Sequence, residues 1–214
     1  MEDRNTAGLY LEMTDLAPDA YASSRVPEVL DARRVERATW WENVNRDRDD
    51  LPRVLPEFDL LGVYEVDGSF VAPATPDGIT GHAFRRTPRP GQGSLTGRPT
   101  IGLSLVLISP TAPERAQDLR DWADFVHIRH IAEAGVPGYG QITPFENVTG
   151  GDPRFLHLYE MDSDEPELTF KSMTPLVEDR IGKVGTDAFK AWGWHDALRI
   201  MYVNSFRRLG ERSA

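Results

Sequence analysis

The chain has 214 residues, room for two units of about 100 residues, and 40% of them are hydrophobic, enough to bury a core. Acids outnumber bases 34 to 24, a net charge of −10. That balance excludes non-specific nucleic-acid binding, which needs Lys and Arg to neutralise phosphates, and it disfavours an anionic membrane surface. There is no cysteine, so disulfides, thiolate catalysis and Cys-ligated metal centres are excluded. The polar start Met1-Glu2-Asp3-Arg4-Asn5 leads into no signal-like apolar stretch, and the longest apolar run, 101–108, is too short to span a bilayer. A cytoplasmic protein is the expectation.

In chain order, Gly8-Leu9-Tyr10-Leu11-Glu12-Met13 reads as a first strand, and Pro18 opens a helical stretch over 18–34. Trp40-Trp41-Glu42-Asn43-Val44 and Leu61-Gly62-Val63-Tyr64-Glu65-Val66-Asp67 read as the next two strands. Residues 67–99 are rich in Gly and Pro, which predicts irregular chain where a second helix would stand. Phe84-Arg85-Arg86 ends this first half. The same series then recurs about 100 residues later, as Gly102-Leu103-Ser104-Leu105-Val106-Leu107, a helix over 113–134, and Thr143-Pro144-Phe145-Glu146-Asn147-Val148. Leu156-His157-Leu158-Tyr159-Glu160-Met161-Asp162, a helix over 165–180 and a strand over 198–206 ending in Phe206-Arg207-Arg208 complete it.

Five matching blocks in one order predict an internal duplication, with repeats 1–86 and 100–214 joined by a linker at 87–99. Strand–helix–strand–strand–helix–strand is the ferredoxin-like pattern, an α+β unit with helices on one face of an antiparallel sheet. Two such sheets face to face make a barrel within one chain, and its interior is the expected place for a single small-molecule site.

The segment Trp122-Ala123-Asp124-Phe125-Val126-His127-Ile128-Arg129-His130-Ile131-Ala132-Glu133-Ala134-Gly135-Val136-Pro137-Gly138 resembles the helix-to-strand signature of dimeric α/β-barrel proteins of the EthD-like type. His127 stands where that family has its characteristic His, and Pro137-Gly138 stands at its turn. Arg25-Val26-Pro27-Glu28-Val29-Leu30 is similar to the family's His-x-Pro-Glu-x-Leu, with Arg25 replacing the His. The resemblance implies the barrel fold. The superfamily holds monooxygenases, polyketide cyclases, lactone isomerases, haem enzymes and proteins of no known activity, so it implies no single function.

Of the five histidines, four lie in the second half. His127 and His130 sit three apart on the predicted helix, beside an apolar stripe of Leu119, Trp122 and Val126, and imidazoles there suit general acid/base work. Alternation along 155–161 puts Phe155, His157 and Tyr159 on one strand face and Leu156, Leu158 and Glu160 on the other. Leucines suit a helix-covered face, so His157 and Tyr159 are expected to look into the barrel, where Tyr64 is their first-half counterpart and Gly62 replaces the His. Trp40 or Trp41 should share that interior. His127, His157 and Tyr159 are thus the catalytic candidates, with Trp40, Trp122, His130, Phe155 and Tyr64 as substrate-binding candidates. Structural histidines held by hydrogen bonds are the plainer alternative.

A metal site of His127, His130 and His157 has permissive spacing, but no metalloenzyme motif stands in the chain, so none is assigned. Trp192-Gly193-Trp194-His195 reads equally as a flap or a packed turn. Glu42-Asn43 and Glu146-Asn147 occupy matching strand ends, which suggests turn-fixing, and the charged runs 46–50 and 162–167 read as solvated loops. The functional expectation is a cofactor-independent lyase, isomerase or cyclase acting on an apolar, ring-containing molecule in the barrel cavity, with redox chemistry ranked lower. The alternatives are a non-catalytic small-molecule-binding or stress-related accessory protein, or a haem-binding barrel. A homodimer is compatible with either.

Overall fold

A computed structural model describes residues 6–32, 34–93 and 97–214. The strands are β1 (Gly8–Thr14), β2 (Val35–Asn43), β3 (Leu60–Val66), β4 (Ile79–Arg86), the two-residue β5 (Gln92–Gly93), β6 (Gly102–Pro110), β7 (Tyr139–Asn147), β8 (Phe155–Met161) and β9 (Leu198–Ser213). A first helical stretch runs through Pro18–Ala20, Tyr21–Arg25 and Val26–Leu30, and a second through Pro113–Arg115, Ala116–Trp122, Ala123–His127 and Ile128–Ala134. Two further helices, Pro166–Ile181 and Asp187–Gly193, stand between β8 and β9. Among the described residues no helix stands between β3 and β4, where Gly and Pro are dense.

The long strands pair antiparallel in the order β4-β1-β3-β2-β9-β6-β8-β7, and β4 pairs with β7 to close the ring. Each half therefore lays its four long strands in ferredoxin-like order, and the two sheets form one eight-stranded barrel within the chain. β9 is 16 residues long because it serves both sheets, its first part pairing with β6 and its last with β2. At the other seam Phe84, Arg85 and Arg86 pair with Asn147, Glu146 and Phe145. No second copy is needed to complete the barrel. None of the described helices is long and apolar enough to cross a membrane.

Alternation along the strands sorts the core into an inner and an outer layer. Leu9, Leu11, Leu61, Val63, Leu103, Leu105, Leu107, Leu156, Leu158, Trp41, Phe84 and Phe206 meet inside the barrel in one cluster drawn from both halves. The void left there is about 40 Å³, close to a single water, so the interior is a packed core. On the outer side, Tyr10, Leu60, Tyr64 and Val66 pack beneath Tyr21, Val26, Val29 and Leu30 of the first helical stretch. In the second half Ile142, Tyr159 and Met161 pack beneath Ile128, Ile131, Met173, Val177 and Trp192.

Two sequence expectations change here. Among the described residues the void at the centre of the barrel, about 40 Å³, is too small for a ring-containing ligand, and the two faces of β8 are exchanged: Leu156 and Leu158 point inward, while Phe155, His157 and Tyr159 point toward the helices. The reason is that a closed barrel covered by helices buries both strand faces. Leucines and aromatic side chains from both sheets fill the lumen, and on β8 the polar–aromatic face lies in the sheet–helix layer.

Local signals account for the helix ends. Pro166 occupies the first turn of its helix with Glu167, Thr169, Met173 and Val177 make its buried stripe at four-residue spacing, and Gly182 (φ 120°) ends it. The second helical stretch stops at Gly135 in the left-handed conformation (φ 64°). Asn43 and Asn147 close the loops after their strands: Asn43 Nδ2 donates to the Phe58 carbonyl (2.9 Å) and Asn147 Nδ2 to that of Pro153 (3.0 Å).

Both helical stretches contain a π turn at the same place in their half, Tyr21–Arg25 and Ala123–His127. A π turn closes i to i+5, so it admits one extra residue and rotates everything after it relative to an α-helix. The consequence for His127 and His130 is direct. Residue 127 comes to lie beneath residue 122, with the Trp122 and His127 rings 5.1 Å apart, and His130 turns to the rim.

Candidate functional site

A cavity of about 330 Å³ lies outside the barrel, between the second half's sheet and its helices. β6, β8 and β9 form its floor through Val106, His157, Tyr159 and Ile200, and its roof includes Trp122, His127, Met173 and Trp192. Asp50 and Leu51 reach it from the β2–β3 connection of the first half. Its size sits at the lower end of the range, about 300–1,000 Å³, that encloses small organic ligands.

His127 is held on two sides. Its Nδ1 lies 3.0 Å from the Trp192 carbonyl, its own carbonyl accepts from Trp192 Nε1 (3.0 Å), and the two rings stack at 5.1 Å and 11°. Trp122 is fixed in turn by donating Nε1–H to the Ala191 carbonyl at 2.7 Å. A carbonyl can only accept, so His127 carries its proton on Nδ1 and leaves Nε2 as the lone-pair nitrogen, with no partner among the described residues. Burial pushes the His127 pKa down to about 4, against a weaker upward pull from the Trp192 carbonyl. The ring is neutral at pH 7.

Asp124, three residues earlier, is buried behind His157. Its Oδ1 lies 3.4 Å from His157 Nε2 and its Oδ2 lies 3.4 Å from Arg89 Nε. Burial, and then the Asp124 charge, raise the Tyr159 pKa far above its ordinary value, so the phenol stays protonated and can donate a hydrogen bond.

The first half fills the corresponding space. Arg25 and His127 end the two π turns, and Tyr21 and Ala123 begin them. Gly62 pairs across the sheet with Glu12, as His157 pairs with Val106. The Tyr21 ring lies over Gly62 so closely that a Cβ there would meet its Cζ at 2.8 Å. Tyr21 donates to Glu12 (2.9 Å) and shares a 2.7 Å hydrogen bond with Tyr64, while Tyr10 and Arg25 also bind Glu12, at 3.0 and 2.6 Å. Four changes, Tyr21 to Ala123, Gly62 to His157, Glu12 to Val106 and Arg25 to His127, thus separate a plugged half from an open one.

Of the residues singled out from the sequence, His127, His157, Tyr159 and Trp122 come together at this cavity. Phe155 lies further along the same strand face, packed with Ile108 and Trp122 beneath Arg120 (5.1 Å). His130 sits at the surface, 3.9 Å from Glu133. Tyr64 belongs to the Glu12 network, and Trp40 packs on the first half's outer face against Gly210, where a Cβ would approach its Cε2 to 2.6 Å. His127, His130 and His157 do not converge, and among the described residues no three His, Asp or Glu side chains are grouped to hold a metal. Sequence reasoning missed Asp124, whose signal was an acid one turn before His127, and Ala123, which is informative only beside Tyr21. It left Trp192 undecided; the indole is buried and Gly193 joins it at the cavity wall, while Trp194 is 56% exposed.

No protein-family model matches the sequence, and no curated protein matches it. Solved structures do. One described as an anthrone oxidase-like protein is 13% identical with a TM-score of 0.59, over 100% of this chain and 95% of that one. A protein named as a monooxygenase, from Fusobacterium nucleatum, is 7% identical with a TM-score of 0.55, over 96% and 94%. A mutant chlorite dismutase from Candidatus Nitrospira defluvii is 10% identical with a TM-score of 0.52, over 98% and 93%. Identities this low show the fold alone, that of the dimeric α/β barrels.

These names overturn the sequence preference for a cofactor-independent lyase, isomerase or cyclase over redox chemistry: the similar structures carry oxidase-like, monooxygenase and dismutase names. Haem is a group this fold family implies, and the cavity can be tested for it. His127 Nε2 is a suitable ligand nitrogen, but 330 Å³ is small for a porphyrin with two propionates, and among the described residues no Arg or Lys lines the wall to meet them. The residues present do not fit haem.

Proposed function

We propose that the chain is an oxidoreductase of the monooxygenase kind acting on a neutral, apolar, ring-containing molecule in the sheet–helix cavity of its second half. The observation that carries this reading is the neutral His127, its Nδ1–H fixed on a carbonyl and its bare Nε2 at the wall of an aromatic pocket. Among the described residues the one ionic side chain in that wall outside the histidines and Tyr159 is Asp50, which disfavours anionic substrates. The names of the similar structures supply the direction of the chemistry.

A ring methylene made acidic by flanking aromatic and carbonyl groups suits such a site. His127 Nε2 removes one C–H proton. Although burial weakens this base, the developing enolate beside it supplies a counter-charge to the imidazolium. Tyr159 donates a hydrogen bond to the enolate oxygen. The carbanion adds dioxygen, and His127 returns its proton to form a hydroperoxide. Loss of the second C–H proton forms C=O, breaks O–O and releases hydroxide, which becomes water. The balance is CH2 + O2 → C=O + H2O.

Anthrone is the probe. The expected result is its conversion to the quinone with one atom of ¹⁸O2 in the product and one in water, and a fall of about 10²-fold or more in His127→Asn. Full turnover by that variant removes the assignment. The weak basicity of His127 favours a second reading, sequestration without turnover, which predicts tight anthrone binding and no oxygen uptake.

We further read the chain as two fused repeats, 1–86 and 100–214, with the active cavity in the second. The shared strand order and the paired π turns support this.

A further inference from the structure

Asp124 is a buried carboxylate without a hydrogen bond to either oxygen among the described residues, its side chain only 6% exposed. Desolvating an ionised carboxylate costs several kcal/mol unless it is matched by partners, so the position calls for a cause. Two groups flank it. Arg89, from the connection between β4 and β5, faces Oδ2 at 3.4 Å, and is itself anchored on Asp121 (2.5 Å) and over the Phe125 ring (4.7 Å). His157 faces Oδ1 at 3.4 Å and stands in the cavity wall. The π turn places Asp124 here, on the sheet side of its helix, in the same turn that delivers His127 to the roof.

We infer that Asp124 is a positioning residue that takes the Nε2–H of His157 and so leaves His157 Nδ1 as the lone-pair nitrogen, with Arg89 holding the carboxylate in place. An ionised carboxylate only accepts, so the pairing sets the tautomer as a carbonyl sets that of His127. Both contacts stand at 3.4 Å, and catalytic contacts of this kind tighten when substrate excludes water.

This rests on the oxidation proposed above, which removes two C–H protons at different stages. In the second stage the hydroperoxide's remaining C–H proton goes to His157 Nδ1. The C–H electron pair becomes the second bond of C=O, the O–O bond breaks, and the departing hydroxide takes the proton from His157 to leave as water. His157 is thereby returned neutral. The groups facing it through the cycle are Asp124, His127 and Tyr159, with Asp50 across the cavity.

The test is ¹⁵N NMR of ring-labelled histidine in the full chain, beside anthrone kinetics. Wild type should show His157 protonated at Nε2 and bare at Nδ1. Asp124→Asn, whose amide can donate to Nε2, should invert that tautomer and lower kcat by about 10- to 100-fold with KM little changed. The wild-type spectrum decides alone if the variant fails to fold. His157 protonated at Nδ1 in wild type, or a tautomer indifferent to Asp124→Asn, overturns the inference even if anthrone is oxidised. The expected tautomer switch without any anthrone oxidation upholds the pairing and removes the oxidation reading instead.

Discussion

The plug in the first half can be moved to the second. Ala123 holds the place of Tyr21, and His157 the place of Gly62, so the double change Ala123→Tyr with His157→Gly should lay a tyrosine across the cavity floor. Burying an aromatic side chain removes about 150 Å² or more from water, worth roughly 4 kcal/mol at about 25 cal/mol per Å². Against this, Val106 stands where Glu12 receives the Tyr21 hydroxyl, so the new hydroxyl has only Tyr159 to meet, at a cost of about 1–3 kcal/mol. Asp124 also loses His157. The sum leaves urea-unfolding stability within about 2 kcal/mol of the parent, while anthrone binding, read by calorimetry, should be abolished. Ala123→Tyr alone should be worse tolerated, because a His side chain then occupies the space the ring needs. A stable double variant that binds anthrone as the parent does would refute the placement of the site.

Three further outcomes follow from buried charge. The unfolded chain protonates His127 near 6.5 and the folded chain near 4, so across that window the unfolded state binds the extra proton and stability falls as pH drops, by at most roughly 3 kcal/mol from this ring. His127→Gln should flatten the urea midpoint between pH 7 and 4.5; an unchanged pH dependence contradicts the depressed basicity. Arg48, 2% exposed, pairs with Glu167 and Asp50 and lies over Phe170 at 4.7 Å, pinning the segment that brings Asp50 and Leu51 to the cavity. Arg48→Ala should cost about 3–5 kcal/mol and raise the anthrone KM tenfold or more, whereas an unaltered KM would show the segment to be a bystander. Glu12→Gln or Arg25→Met should each cost about 3–5 kcal/mol in denaturant unfolding, with the double change costing much less than the sum and kcat untouched; simple additivity would contradict the network.

Much of the scaffold was legible because similar blocks recur in the same order in the two halves of the sequence. Strand order, the helices near 113–134 and 165–180, and the irregular stretch after β3 follow from repeated blocks, Pro starts and Gly stops. Which face of β8 turns inward was not legible, since Leu156 and Leu158 on one side and Phe155 and Tyr159 on the other are all buried, and alternation then carries no polarity. The π turn was equally hidden. Without its extra residue His130 falls on the apolar line and Asp124 looks like a surface acid, and only the i to i+5 closure reverses them. Arg48, within a charged run that reads as solvated, is buried because Glu167 and Asn204 wait for it from the other half, a pairing that sequence distance conceals. His127, His157, Tyr159 and Trp122 converge as one group despite the wrong side of the sheet, because strand alternation keeps them together whichever way the strand turns.

The most direct measurement is a crystal structure of the chain with anthrone bound without oxygen. The account predicts one molecule between the second half's sheet and the Trp122–Trp192 roof, its ring methylene about 3–3.5 Å from His127 Nε2. Anthrone found inside the barrel, or against the Tyr21 plug of the first half, would contradict it.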